Sequence, residues 1–182
     1  MGTTIARVAT ATGFDVAISG SGSAERIALI VEVLAPGALV MSTTPVVAHA
    51  DLIVLSVPMH RFRALARDLF DGKTVIDTMN YWEEVDGADD ELSAASAGTS
   101  VVVQQWFSSA WVVKSLNQLG YQEFQDGTRP PGTPGRAGMA VAGDDPAAVA
   151  TVMRFVDQIG FDPVDVGPLE AGVSLEPSRN PG

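Results

Sequence analysis

Short apolar runs alternate along the chain with stretches of helical periodicity. The clearest run is Asp51-Leu-Ile-Val-Leu-Ser-Val-Pro58, which lacks the polar alternation of a half-solvated strand. A strand apolar on both faces is one covered by helices on both sides, the setting of a parallel sheet. Further strands are predicted at residues 15–19, 38–41, 74–78, 111–116, 138–142 and 162–166. Between them, Ile27, Ile30, Val31 and Leu34 recur at helical spacing until Pro36-Gly37 stops the helix. Thr44-Pro45 supplies a cap and first turn for a short helix to Ala50. Phe62, Leu65 and Leu69 mark another, ending near Gly72. The most regular helix is predicted at 145–159, with Pro146 in its first turn, Gly160 after its end, and Val149, Val152, Met153, Val156 and Ile159 on one face. The alternation predicts a doubly wound α/β fold with a mostly parallel sheet, in a single domain over 1–182 whose tail starts near 167.

Composition narrows the function classes. With 182 residues, 46% of them hydrophobic, the chain buries a core and is not disordered. Eleven Lys and Arg against 22 Asp and Glu leave a net charge of −11. That charge disfavours nucleic acid and anionic membranes as partners. Cys is absent, which removes thiol nucleophiles and thiolate metal sites; two isolated His offer no metal-ligand spacing. No basic and apolar leader opens the chain, and a cytoplasmic location is expected.

The densest chemistry lies near the start. Gly2-Thr-Thr-Ile-Ala6 is followed by Gly13-Phe14-Asp15-Val16. A dinucleotide-binding Rossmann unit runs from a strand through G-x-G-x-x-G into a helix, then Gly and a second strand. Gly2 fits the third glycine, Ala6 the small residue facing the sheet, and Val16 the start of the second strand. The first strand and the first two glycines would need roughly ten more residues upstream, so a fragment or a start called too late is expected, with a damaged phosphate cradle if 1–182 is the whole molecule. After the second strand, Ser19-Gly20-Ser21-Gly22-Ser23 stands where an NAD enzyme carries an acid for the ribose. Hydroxyls and N–H groups at a helix start, with Arg26 one turn on, suit a 2′-phosphate, hence NADP(H).

Thr74-Val-Ile-Asp-Thr-Met-Asn-Tyr-Trp82 adds a recognisable run. Together with Gly2–Ala6, Ser19-Gly-Ser-Gly22, Val57-Pro58, Val112-Val-Lys-Ser-Leu-Asn-Gln118 and Gly167-Pro-Leu-Glu-Ala-Gly172, it resembles the short bacterial NADPH-dependent reductases of the deazaflavin coenzyme F420. The resemblance implies hydride transfer between NADP(H) and F420 as co-substrate, in a cleft at the C-terminal ends of the strands. It implies that Gly2, Thr3 and Thr4 lie against the pyrophosphate and that Ser19, Gly20, Ser21 and Ser23 hold the adenosine ribose and 2′-phosphate. Val57, Pro58, Met59 and Asn80 would approach the nicotinamide half. The chain departs from the pattern in the absent first strand, and in Gly22 where an Arg is often found.

His60, at a strand's C-terminal end, and Lys114, in an apolar strand, are the candidate catalytic groups. His60 could touch the nicotinamide ribose, though such a His more often caps or opens its helix. Lys114 is costly in an apolar strand unless it is paired or faces a cleft, where it could bind an anionic cofactor or serve as an acid. Two rival functions remain open. One is an NADP-dependent reductase of a small carbonyl or imine, with Lys114 or His60 as proton donor. The other is a truncated, non-catalytic dinucleotide-binding protein. A homodimer is possible on fold symmetry alone. His49 reads as structural, Lys73 as solvated, and Trp106 and Trp111 as core. Arg129 and Arg136, in the long 126–138 loop, could meet phosphates or glutamyl carboxylates but read first as solvated loop charges, and residues 86–91 read as a solvated acidic turn. Ser108-Ser109 lacks the His and acid of a hydrolytic triad.

Overall fold

The computed structural model describes residues 1–20 and 24–177. In chain order it runs α1 (Gly2–Ala11), β1 (Ala17–Ile18), α2 (Ala24–Leu34), β2 (Leu39–Val40), α3 (Thr43–His49) and β3 (Ile53–Leu55). Two 3-10 helices follow, Met59–Ala64 and Arg67–Phe70, then β4 (Thr74–Asp77), α4 (Glu83–Asp86), α5 (Asp90–Ala94) and α6 (Thr99–Trp106). The last third holds β5 (Trp111–Lys114), α7 (Tyr121–Gly127), β6 (Gly138–Gly143), α8 (Pro146–Gln158), β7 (Asp162–Gly167) and a third 3-10 helix, Leu169–Leu175.

Strand order explains the apolar runs. β3 through β7 form one five-stranded sheet in sequence order, parallel except where β5 meets β6. Neighbouring residues of its central strands point into different cores. Ile76 and Val113 pack with Ile5, Phe124, Val152, Val156 and Phe161 on the face covered by α1, α7 and α8. Val75 and Val112 pack with Met59, Phe62, Phe70, Val103 and Phe107 on the other face. Each strand therefore needs apolar side chains at consecutive positions, and the architecture is the expected doubly wound α/β.

β1 and β2 form a separate parallel pair, Ala17 opposite Leu39 and Ile18 opposite Val40. Among the described residues no ladder joins this pair to β3. Ala6 of α1 is buried with Val31 and Ala35 of α2, and Val16, Ile18 and Val40 pack against that cluster.

Several local expectations need correction. The helix expected from Phe62 to Gly72 is two short 3-10 turns broken at Leu65-Ala66, because Phe62 and Phe70 both drop into the same core. The 86–91 segment is only in part a solvated acidic turn: Asp90 and Glu91 are exposed, but its other two acids are engaged. Asp86 has a side chain only 3% exposed, and Asp89 caps α5 by accepting from the Leu92 N–H. Arg136 is not a loose loop charge either. Its side chain is 3% exposed, paired with Asp157 and Asp162, and it donates to the Asp157 and Phe161 carbonyls. Lys73 is anchored on the Ala48 and Ala50 carbonyls at the end of α3. Trp111 is exposed rather than core, since it opens a strand at the rim of the sheet. Residues from 167 onward begin as the end of β7 and then fold back as the third 3-10 helix, with Leu169 and Gly172 buried.

Candidate functional site

β3, β4 and β5 are parallel, so their C-terminal ends share one edge, where open α/β sheets bind ligands. α1 starts there. A Cβ on Gly2 would lie 3.3 Å from Ser56 Cβ, so glycine lets the helix N-terminus approach the tip of β3. No side chain caps that N-terminus, while Thr4 N–H and Ile5 N–H are already taken by the Met1 carbonyl. Thr3 is partly exposed and Thr4 buried. An uncapped helix start presents N–H dipoles to an anion, the chemistry a pyrophosphate needs.

Ser19 follows β1, and its hydroxyl shares a 2.6 Å hydrogen bond with Thr43 Oγ1 at the start of α3. Gly20 is exposed. Ser21 and Ser23 lie outside the described residues. Val57 and Pro58 follow β3, with Pro58 exposed. Met59 is 1% exposed in the core beneath them, so only its backbone can face a ligand. Asn80 sits beyond the tip of β4, its amide donating to the Asn117 carbonyl at 3.2 Å and its oxygen accepting from Asn117 Nδ2 at 2.9 Å.

The two candidate catalytic groups have different surroundings. His60 Nδ1 lies 3.0 Å from Asp86 Oδ1, while Arg61 Nε donates to His60 Nε2 at 3.2 Å. With Nε2 accepting, Nδ1 carries the proton toward Asp86, so both ring nitrogens are engaged. Burial alone would raise the Asp86 carboxyl pKa. Hydrogen bonds from the Trp82 N–H and from the His60 ring and N–H outweigh burial and hold it below its ordinary value. Asp89 is lowered likewise: burial opposes, and the Leu92 N–H and Arg63 prevail. Arg63 also reaches Glu91 at 2.6 Å. The 3-10 helix after β3 is thus clipped to residues 86–91.

Lys114 is wholly buried, as is its partner on the neighbouring strand, Asp77. Its ammonium lies 3.5 Å from Asp77 Oδ2 and donates to the Met79 carbonyl. Asp77 accepts from the Met79 N–H at 2.9 Å and from Ser100 Oγ at 2.6 Å. An ammonium sealed in this way holds structure together and has no route to a substrate in this conformation. The sequence reading did not single out Asp77, Ser100 and Asn117. The signal available was that two ionisable residues and an Asn occupied consecutive strand ends. Among the described residues no group of His, Asp and Glu is arranged to hold a metal, and no helix is long and apolar enough to cross a membrane.

Comparison with known proteins bears on this edge. Residues 1–81 match the family model described as NADP oxidoreductase coenzyme F420-dependent. The match takes in less than half of the chain, its first 81 residues. A curated relative, the Escherichia coli K12 protein YjhV, is 46% identical over 48 residues, which cover 26% of this chain and 35% of YjhV. The match therefore spans about a third of that relative's length. Among solved structures, the hypothetical protein SMa0349 of Sinorhizobium meliloti superposes with a TM-score of 0.82 at 20% identity, over 99% of this chain and 86% of that one. An Arthrobacter sp. FB24 protein, provisionally assigned as an F420-dependent NADP reductase, gives 0.78 at 22% identity, over 95% and 83%. At such identities these two show a shared fold. The resemblance carried by the N-terminal motifs is shown over residues 1–81.

Proposed function

We propose that this chain is an NADP(H)-binding oxidoreductase that passes a hydride between NADP(H) and coenzyme F420. One observation carries the reading: every residue assigned to the cofactor, from Gly2 to Asn80, falls inside the stretch that matches the F420-dependent NADP oxidoreductase family. The residues present fit the group. The bare N-terminus of α1 suits the pyrophosphate, and the Ser19–Thr43 hydroxyl pair suits a ribose or 2′-phosphate. Gly2, Thr3, Thr4, Ser19, Gly20, Ser21 and Ser23 would bind that half. Val57, Pro58, the Met59 backbone and Asn80 would orient the nicotinamide.

When both cofactors are bound they supply the hydride donor and acceptor, with solvent supplying or taking the accompanying proton. The chain's own work is to position two flat rings and keep water from between them. That division suits a site in which Lys114 is sealed and His60 is already paired on both nitrogens. A cytoplasmic location goes with the proposal. So does a homodimer, for which α2 offers a surface. Leu29, Ile30, Val33 and Leu34 are all exposed there, and residues 27–50 contain a single formally charged side chain, Glu32. In a chain of net charge −11, that stretch carries little of the charge that would oppose a second copy.

Thermal unfolding with NADPH and with NADH tests the binding step. Ligand at 100 times its dissociation constant stabilises by about 2.7 kcal/mol. The expected result is a clear shift with NADPH and a smaller one with NADH, followed by NADPH oxidation when F420 is added. No shift with either nucleotide overturns the reading. Binding with no F420 reduction, but turnover of a small imine or carbonyl, redirects it to the rival substrate class.

A further inference from the structure

The most heavily engineered place in the molecule is the corner that follows β4. Both main-chain polar groups of Met79 are held by buried side chains: its N–H by Asp77 and its carbonyl by Lys114. Asp77 is itself held by Ser100 from α6. Burying an ion pair costs several kcal/mol of desolvation, and apolar residues of similar volume often serve stability as well or better. The pair therefore calls for a reason beyond stability, and what it grips is the backbone immediately before Asn80.

Asn80 is gripped from the other side. Asn117 exchanges two hydrogen bonds with it and donates to the Leu175 carbonyl at 2.7 Å. To reach that position the chain turns sharply after β5. Leu116, fully buried, adopts φ 63°, a left-handed conformation that a branched side chain rarely takes. The 3-10 strap Leu169–Leu175 closes the assembly. A Cβ on Gly172 would sit 3.0 Å from Lys114 Cβ and Cγ, so glycine lets the strap lie close on the lysine stem without displacing it. Glu176 then fastens the strap's end by accepting from Thr99 N–H and Oγ1 at the start of α6.

We propose that Asp77, Lys114 and Asn117 are positioning residues that fix the Met79–Asn80 corner, and with it the Asn80 carboxamide, for the nicotinamide end of the dinucleotide. The proposal rests on the NADP(H) reading above and adds how the far half of that site is held. These three residues touch no ligand. They act through Asn80, with the strap as their outer wall.

The test separates the two halves of the ligand. Dissociation constants are measured by calorimetry for NADPH and for 2′-phospho-ADP-ribose, which lacks the nicotinamide. They are compared in the unaltered chain, in Asn117→Ala, which leaves the buried pair intact, and in Asp77→Asn/Lys114→Met, which removes both charges together. Expected is a loss of about tenfold or more in NADPH affinity, worth about 1.4 kcal/mol per tenfold. Affinity for 2′-phospho-ADP-ribose should change less than twofold. Equal losses for both ligands, or none for either, in Asn117→Ala overturn the proposal even where the double variant fails to fold. If the unaltered chain binds neither ligand, the NADP(H) reading itself fails and takes the proposal with it. If it binds 2′-phospho-ADP-ribose as tightly as NADPH, the corner contributes nothing to the nicotinamide half, and the proposal alone falls.

Discussion

The sheet from β3 to β7 and the pair β1–β2 are made of similar residues on different terms. In the first, two cores press on consecutive positions of each central strand, and even the charges at the strand ends are paired. In the second, two ladder steps are covered by α1 and α2, and the buried contact between those helices consists of Ala6, Val31 and Ala35. The apolar side chains of α2 are divided accordingly. Val31 and Ala35 face inward, while Leu29 and Val33 stand 69% and 67% exposed. Apolar content alone thus says little about where stability resides. What matters is whether a second layer exists to cover it.

The comparison predicts, first, that core truncations differ sharply between the regions. Phe124 is fully buried, with its ring 4.9 Å from that of Phe161. Phe124→Ala removes a large aromatic from a packed site and should cost about 3–5 kcal/mol in denaturant unfolding. Hydrogen exchange should place the β4 and β5 amides at the global unfolding limit and the β1 and β2 amides well below it, because the pair has few buried contacts to break. Equal protection in both regions would erase the distinction.

A smaller effect is expected at the exposed face. Val33→Glu changes a surface residue and should leave monomer stability within about 0.5 kcal/mol. If two copies meet through α2, the same change places an unpaired carboxylate in the interface, and self-association measured by sedimentation should weaken by at least about tenfold. An unaltered chain that is monomeric at all accessible concentrations removes this use of α2. It leaves the apolar face as a mark of a less covered region.

How much of this was legible beforehand follows the same divide. The uninterrupted run 51–58 announced a strand covered on both faces, and Gly2, Ala6 and Gly13 announced a helix from 2 to about 12 with a small buried residue on it, because those signals depend on nearest-neighbour chemistry. The break at Leu65-Ala66 was not legible. Phe62, Leu65 and Leu69 keep helical spacing, but Phe62 and Phe70 are drawn to one core, which local periodicity does not encode. The candidate site divides likewise. Glycines and hydroxyls at strand ends showed in the motifs. The Asp77–Lys114 pair did not, because it forms only when β4 and β5 lie in register. Asp86 and Arg136 were misread for the same reason: their partners are distant in sequence, at His60 and at Asp157 and Asp162.

The clip between His60 and Asp86 gives the smallest predicted effect and locates the rim of the well-covered region. Asp86 accepts from the His60 ring, the His60 N–H and the Trp82 N–H, and these bonds favour its ionised form over the protonated one. Its folded pKa is therefore depressed relative to the unfolded chain. The stability it contributes is fully present above the unfolded value, about 3.9, and is lost as pH falls through the lower folded value. Asp86→Asn keeps an oxygen acceptor and drops the charge. The variant should be slightly less stable than the unaltered chain near neutral pH, with the gap closing as acid protonates Asp86 in the latter. Denaturant midpoints taken across the acid range decide the matter. A gap that stays constant into acid would mean that the carboxylate's charge contributes nothing there. The 3-10 helix after β3 would then be held by its two core residues, Met59 and Phe62, rather than by the clip.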